Sequence, residues 1–321
     1  MPRYIRNTLI LAKPEATPGV DAVPSGAADA LLVSDLEITP LDARNVDRNL
    51  IRPYFGASEQ LVSTASVRCS FTVELAGSGA AATPPQWGDL LLGAACSEAL
   101  LSAPNRVEYK PASTLLKTLT IYWYDDGLLH KLLGAMANPQ LMAKVGDRPM
   151  LKFDFIGLDG GATVATSPVP TLTAWKTPPT MAKANVVDIS IGCVYAAGAL
   201  SGGSSAIASQ GLELDFGNAV QFTQLLSQER VDITDRQMTG RVSLDLTAAQ
   251  EVTFMNAVRA NTLQSMGLTI GTAAGNKIIL FAPAVQMINP RKEELDGSRM
   301  IGFDLRFTPL AGNDELVIVT Q

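Results

Sequence analysis

RVSLDL (Arg241–Leu246) and VRCSFTVEL (Val67–Leu75) decide how the rest of the chain is read. Val242, Leu244 and Leu246 alternate with Arg241, Ser243 and Asp245 in the first. In the second, Val67, Cys69, Phe71, Val73 and Leu75 alternate with Arg68, Ser70, Thr72 and Glu74. A period of two marks an antiparallel strand with one dry and one wet face. The surroundings match too. A Leu-Glu-(Ile/Leu) core precedes each stretch, at Leu36–Ile38 and Leu212–Leu214, with 31 positions from Leu36 to Val67 and 30 from Leu212 to Val242. The two stretches read as one strand in two copies of one domain.

Outward from them, Asn7–Lys13 reads as a strand and Pro14–Asp29 as a loop of Pro, Gly and Ala that cannot build a core. Ala30–Thr39 is a second strand, and Leu50–Ala65 a long connection. Pro84-Pro85-Gln86-Trp87 opens a helix with Trp87, Leu90, Leu91, Ala94 and Ala95 on one face. Lys117–Tyr124, a hairpin turn at Asp125-Asp126-Gly127, a return over Leu128–Ala135 and Pro149–Leu158 complete the first half. Gly160–Thr180 breaks the pattern as a linker. The order then begins again: strand Asn185–Gly192, small-residue loop Ala196–Ser205, strand Ala206–Phe216 and the Arg241 strand. A helix over Thr247–Asn261 follows, capped by Thr247, with Val252, Met255 and Val258 on one stripe. Strand Lys277–Ala282, the turn Asp296-Gly297 and Arg299–Phe307 close the copy, Phe303, Leu305 and Phe307 answering Leu151, Phe153 and Phe155. The expected fold is mainly β, with two tandem antiparallel β-barrel or sandwich domains, each flanked by one α-helix. Their bounds are 1–160 with an extended arm over 14–29, a linker over 161–180, and 181–321 with a tail over 311–321. Similar domains joined covalently pack as neighbours in a ring pack, so an odd number of chains can present an even number of domains.

Charged residues make up 17% of the 321 residues and aromatics 6%, beside 26 Gly and 19 Pro, which favours turns and strands over helices. A net charge of −6 argues against gripping nucleic acid by its phosphates, though not against letting it pass. Cys69, Cys96 and Cys193 are an odd count without framework spacing and read as buried reduced thiols, consistent with assembly in a cytosol. The start of the chain has only a short apolar run, Leu9–Ala12, broken by Lys13 and Pro14, so neither a secretion signal nor membrane insertion is expected.

Nothing in the sequence forms a catalytic or cofactor constellation. The single histidine, His130, sits in LLHKLL without a Ser, Cys or carboxylate at a motif spacing, and reads as structural. One His and scattered Cys make no transition-metal site. Asp125-Asp126-Gly127 and Asp296-Gly297 lack the other ligands of a calcium loop. Gly202-Gly203 has no following Lys and opens no helix, so it is no phosphate cradle. What survives is a charged face: Glu37, Glu74, Asp154, Glu213, Asp245 and Asp304, interleaved with Arg68, Lys152, Arg241 and Arg306. It reads either as an ordinary solvated sheet face or as a channel lining whose acidic bias repels a polyanion.

The ordered series PQWGDLLLGAAC (Pro85–Cys96), VEYKPAS (Val107–Ser113), LTIYWYDDGLLHKLLGA (Leu119–Ala135) and LKFDFIGL (Leu151–Leu158) resembles the major tail tube proteins of bacteriophages with long, non-contractile tails. LELDFGNAV (Leu212–Val220), ERVDITDRQMTGRVSLDL (Glu229–Leu246) and FDLRFTPLAGNDELVI (Phe303–Ile318) are similar to the C-terminal part of those proteins. The resemblance implies barrels of tail-tube type stacked as rings around a lumen for double-stranded DNA, in a virion tail assembled in the bacterial cytoplasm. It implies no enzyme and no cofactor. Its implied partners are further copies of the chain and the tail terminator, tape measure and distal tail proteins. One-barrel tube proteins form hexameric rings, so two barrels imply a trimer with pseudo-sixfold symmetry. Ring-to-ring contacts are expected from Glu15–Asp29, Arg44–Ala65, Gln221–Asp235 and Ala311–Gln321, whose composition suggests that they cannot pack on the parent barrel. Competing readings are the tube of a contractile injection machine, whose subunits usually carry one barrel, and a carbohydrate-binding or adhesin module. The latter needs exposed aromatics, whereas Tyr122, Trp123 and Tyr124 lie within a strand.

Overall fold

The computed structural model describes residues 3–321, without the side chains of Ser205 and Ala206. Expectations falling on Met1, Pro2 and those two side chains lie outside the described residues. Strand makes up 56% of the chain and helix 6%, so sheets must bury sheets.

The first half contains β1 (Thr8–Pro14), β2 (Ala30–Leu31), β3 (Val33–Asp47), β4 (Gln60–Glu74), β5 (Cys96–Ser102), β6 (Asn105–Pro111), β7 (Leu119–Asp125), β8 (Leu128–Lys144) and β9 (Met150–Val164). Its antiparallel neighbours run β2–β1–β7–β8–β9–β4–β3. Leu31 pairs with Ile10 at one end of this ladder and Val33 with Val73 at the other, so the chain closes the barrel on itself at Leu32. Closure removes two edges that would otherwise be open.

The second half contains β10 (Val186–Ile191), β11 (Val194–Ala196), β12 (Ala199–Ser201), β13 (Ser204–Ile207), β14 (Ser209–Asp215), β15 (Asn218–Leu225), β16 (Gln228–Arg236), β17 (Thr239–Leu244), β18 (Leu263–Ile270), β19 (Ile278–Leu295), β20 (Ser298–Phe307) and β21 (Val317–Thr320). Here the neighbours run β13–β10–β18–β19–β20–β17–β14, again all antiparallel. Ile207 pairs with Ile189 and Ser209 with Leu244, closing this ladder at Ala208. The neighbour order is that of the first half. Following the pairs around both ladders matches Leu31 with Ile207, Val33 with Ser209, Val73 with Leu244 and Phe153 with Phe303. Even the bulge after the closing residue recurs, with positive φ at Asp35 (50°) and Gly211 (108°).

This register corrects the matching read from spacing. Val242 corresponds to Phe71, not to Val67, and Phe303 to Phe153, not to Leu151. The near-equal intervals are a coincidence, because the hairpins that intervene differ in length.

Each dry face feeds one core that spans both halves. Phe71, Phe153 and Phe155 stack at its centre, with ring centroids 5.5 and 5.7 Å apart for the two closest pairs. The expected helix after Pro84 is a single turn, α1 (Gly88–Leu92). Asp89 alone faces out: Trp87, Leu90, Leu91, Leu92, Ala94 and Ala95 are all buried, and the Trp87 indole donates to the Ala76 carbonyl at 2.7 Å. The second helix, α2 (Ala248–Arg259), starts at Thr247 with a full capping box to Gln250. Its stripe is corrected: Phe254 is the buried residue, facing Phe303 at 6.1 Å between centroids, while Val252 is exposed.

The halves are joined by strand pairing. Gly211–Asp215 of β14 lies against Gln140–Lys144 of β8, and β21 bridges β19 and β6. Seventeen strands thus share one hydrogen-bonded sheet. The expected linker is less free than its composition suggests. Gly160–Val164 continues β9, Thr171 donates its N–H to the Gly26 carbonyl, and the Trp175 indole donates to the Ala30 carbonyl. The small-residue loop expected at Ala196–Ser205 carries instead the hairpin β11–β12, turning through Ala197 and Gly198 at positive φ.

Candidate assembly surface

All six acidic residues singled out in the sequence lie on one face of the sheet. Glu74, Met150, Met142, Glu213, Arg241, Asp304 and Ile288 form one row of paired residues that crosses the seam between halves. Glu37 pairs with Ser70 and Ser70 with Asp154. Ser70 stands four residues before Glu74, so that row shares the same face. In the register just derived, the six collapse to three positions used twice: Glu37 with Glu213, Glu74 with Asp245, and Asp154 with Asp304.

Their charge is locally balanced. Arg148 sits 3.1 Å from Glu74, Lys152 3.5 Å from Asp154, Lys144 2.7 Å from Glu213 and Arg291 2.7 Å from Asp304. These pairs are well exposed, and each stabilises the fold by about 0–1 kcal/mol. The face is therefore mixed in sign rather than uniformly acidic.

Three of the four segments assigned to ring-to-ring contact pack on their own chain, which corrects the premise that they cannot. In the arm, the buried Glu15 carboxylate accepts from Thr118 Oγ1, Thr120 Oγ1 and the N–H groups of Gly19 and Gly134, at 2.6–2.8 Å. Asp21 accepts from the Tyr122 hydroxyl and Lys131 Nζ. Burial opposes ionisation of Asp21, but those hydrogen bonds win and hold its pKa below the usual carboxylate value. The composition of the arm hid this because two carboxylates, not apolar side chains, fasten it. The tail is corrected in the same way. Leu316, Val317, Ile318 and Val319 are buried, and Arg236 holds Glu315 at 3.1 Å. A short continuous apolar run before the terminus was the available signal for a buried strand.

The third segment, Gln221–Asp235, forms most of the hairpin β15–β16, which turns back over the first barrel. Asn218 donates through its amide to the carbonyls of Ala94 and Ala137, its own N–H donates to Asn138, and the Arg236 guanidinium reaches the Ala112 carbonyl. The kink is at Gly217, whose φ is +62° and whose hypothetical Cβ would lie 2.1 Å from the Gln237 carbonyl oxygen. Arg44–Ala65 is the least covered of the four, touched near its tip where Gln224 donates to the Ser63 carbonyl at 3.1 Å. Most of it is regular hairpin, with pairs running from Asp42–Ser66 to Asp47–Gln60, so the long connection expected over Leu50–Ala65 shrinks to 48–59. Ile51 and Phe55 at its tip are fully exposed and Tyr54 is 66% exposed.

A second contact joins the halves near β6. The buried Glu108 accepts from the Tyr195 hydroxyl at 2.6 Å and Arg106 Nε at 2.7 Å, with Lys110 Nζ at 3.0 Å. Burial raises its pKa and these three donors lower it further, leaving it below the usual glutamate value. The cysteines are buried free thiols, and burial pushes Cys69 and Cys96 up to about 12, far from thiolate chemistry at neutral pH. His130 stacks on Trp123 at 4.9 Å, and burial lowers its pKa, which keeps the ring neutral. Among the described residues no helix is long and apolar enough to cross a membrane.

Closed barrels sharing one core, a sheet face of mixed charge and one hairpin with an exposed apolar tip define a structural β-barrel protein. The model of the phage tail tube protein family matches residues 5–320, and the chain belongs to that family. A search of curated proteins finds no match. Membership makes the chain a component of the virion tail that self-assembles into a tube.

Proposed function

We propose that this chain is the major tail protein of a long, non-contractile phage tail, built as a duplicated tube domain. Three chains close a ring that presents six barrels, and stacked rings form the conduit for double-stranded DNA. The mixed-charge face carrying Glu37, Glu74, Asp154, Glu213, Asp245 and Asp304 lines the lumen. Its cations are tied up in pairs with these acids, which leaves no basic patch to hold a polyanion and lets it slide without adhering. The single observation that supports the duplication is the neighbour order repeated in both halves, with closure at Leu32 and at Ala208. In this reading the rings form in the host cytoplasm and are bounded by tail terminator, tape measure and distal tail proteins.

Electron microscopy and native mass measurement of the purified protein test it. Hollow tubes whose rings contain three chains are the expected result. A persistently monodisperse monomer at high concentration, or rings of six whole chains, overturns it.

A further inference from the structure

The seam between the two halves is a template for a contact that the chain cannot make with itself. In the seam, β14 lends its outer edge to β8: Leu212 faces Ala143, Glu213 Met142, Leu214 Leu141 and Asp215 Gln140. The counterpart of β14 is β3, and among the described residues β3 pairs only with β4, leaving its outer edge open. The counterpart of that end of β8 is Arg291–Leu295 of β19, which pairs with β20 alone. Each chain thus carries both members of a second seam at opposite ends, and they belong to different halves.

Burial agrees with this reading. Leu212 and Leu214 are each 3% exposed under the cover of β8, whereas their counterparts Leu36 and Ile38 are only half-buried. The hairpins differ in the same sense. β15–β16 rests on β8 and β9 next to the seam, whereas the matching hairpin of β3 and β4 meets the rest of the chain near its tip at one side-chain hydrogen bond, from Gln224 to the Ser63 carbonyl, and leaves Leu61 and Val62 exposed. A long open edge with apolar flanks is an aggregation hazard unless a partner completes it.

We propose that a second copy of this chain completes it: Leu36–Thr39 of one copy pairs antiparallel with Arg291–Glu294 of the next, and the hairpin arm lies over that copy's β19 and β20. The occupant is a second copy because the complementary edge exists on this chain, in the matching register, and because a head-to-tail contact of this kind closes into a ring. The ladder begins at Leu36. Gly211 in the seam sits so close to the Ala143 carbonyl that a Cβ would lie 2.0 Å from its oxygen, and the matching residue in β3 is Asp35, which has a Cβ. The register places Thr39 opposite Arg291 and Glu37 opposite Glu293, with Arg291 and Arg241 flanking the two acids.

This proposal rests on the tube reading, and its test separates the two. The double variant Thr39→Cys/Arg291→Cys is assembled, oxidised and run under denaturing, non-reducing conditions; the native thiols are buried. A ladder of covalent dimer and trimer is expected from tubes, at least tenfold more intense than from dilute monomer, and the slipped pair Thr39→Cys/Glu293→Cys stays largely unlinked. Amide exchange of the wild type at Leu36–Thr39 and Arg291–Glu294 slows at least tenfold on assembly. Tubes that form with neither the ladder nor the protection overturn the edge pairing and leave the tube reading intact. A protein that never self-associates overturns both.

Discussion

Gly211 lets β14 close against β8. Its φ of +108° and the Ala143 carbonyl against its α-carbon exclude a side chain. Gly211→Ala is expected to destabilise the protein by roughly 2–4 kcal/mol, read as a lowered denaturation midpoint. Glu108 sets the acid limit of the same join. Its folded pKa lies below the ordinary 4.5, so its contribution is fully present above that value and is lost as pH falls through the lower folded one. In Tyr195→Phe the buried carboxylate loses one donor, which costs about 1–3 kcal/mol at neutral pH. The acid midpoint, followed by tryptophan fluorescence, rises relative to wild type. An unchanged midpoint would show that Glu108 is not part of the join. Neither residue announces itself in the sequence. Gly211 is one glycine among 26, and Glu108 meets Tyr195, 87 positions further along, only because the fold brings β6 and the β11–β12 hairpin together.

Elements were legible where one face is dry and the other wet. β9 alternates cleanly, β4, β17 and β20 alternate in sequence although wet-side Thr72, Ser243 and Gly302 are buried as well, and the two Asp-Gly turns adopt positive φ at both positions, as two-residue hairpins require. The capping box of α2 was legible too, and Thr247→Ala should cost about 1 kcal/mol, measured by thermal unfolding. β5, β6, β15, β16 and β21 were not, for a common reason. β5 with β6 and β15 with β16 are local hairpins, but what each rests on, like both partners of β21, lies far away in the chain, so their burial pattern reflects neighbours that local periodicity does not report. The wet-face acids were legible as a face together with Lys152, but two of their other cations were not: Arg148 comes from the turn between β8 and β9, and Arg291 follows a register shift within β19. Among the elements the β3–β4 hairpin is separable. Replacing Leu50–Ala57 with a short Gly-Ser turn should leave the thermal midpoint within a few degrees of wild type while abolishing tubes in micrographs. A large fall in the midpoint would instead mean that the tip supports the barrel.

At the scale of the molecule, two closed ladders share one core, one seam and one bridging strand. Expressed alone, residues 1–180 would expose the edge of β8 and the outer side of β6, and are expected to aggregate. Co-expression with 181–321 should restore a soluble complex, detectable by size exclusion. Soluble, monomeric first halves would mean that β14 and β21 add little. A recurring order of elements was visible in the sequence, whereas the residue matching of the two ladders depends on strand pairs that spacing along the chain does not report.

The difference between Gly211 and Asp35 reaches beyond the single chain. In a ring of three copies, junctions drawn tight by glycine would alternate with looser ones shortened at an aspartate. Compliance would then concentrate at three hinges spaced around the circumference, so a tail built this way would flex along three preferred directions. Its subunits would also enter the ring as ready-made pairs of barrels.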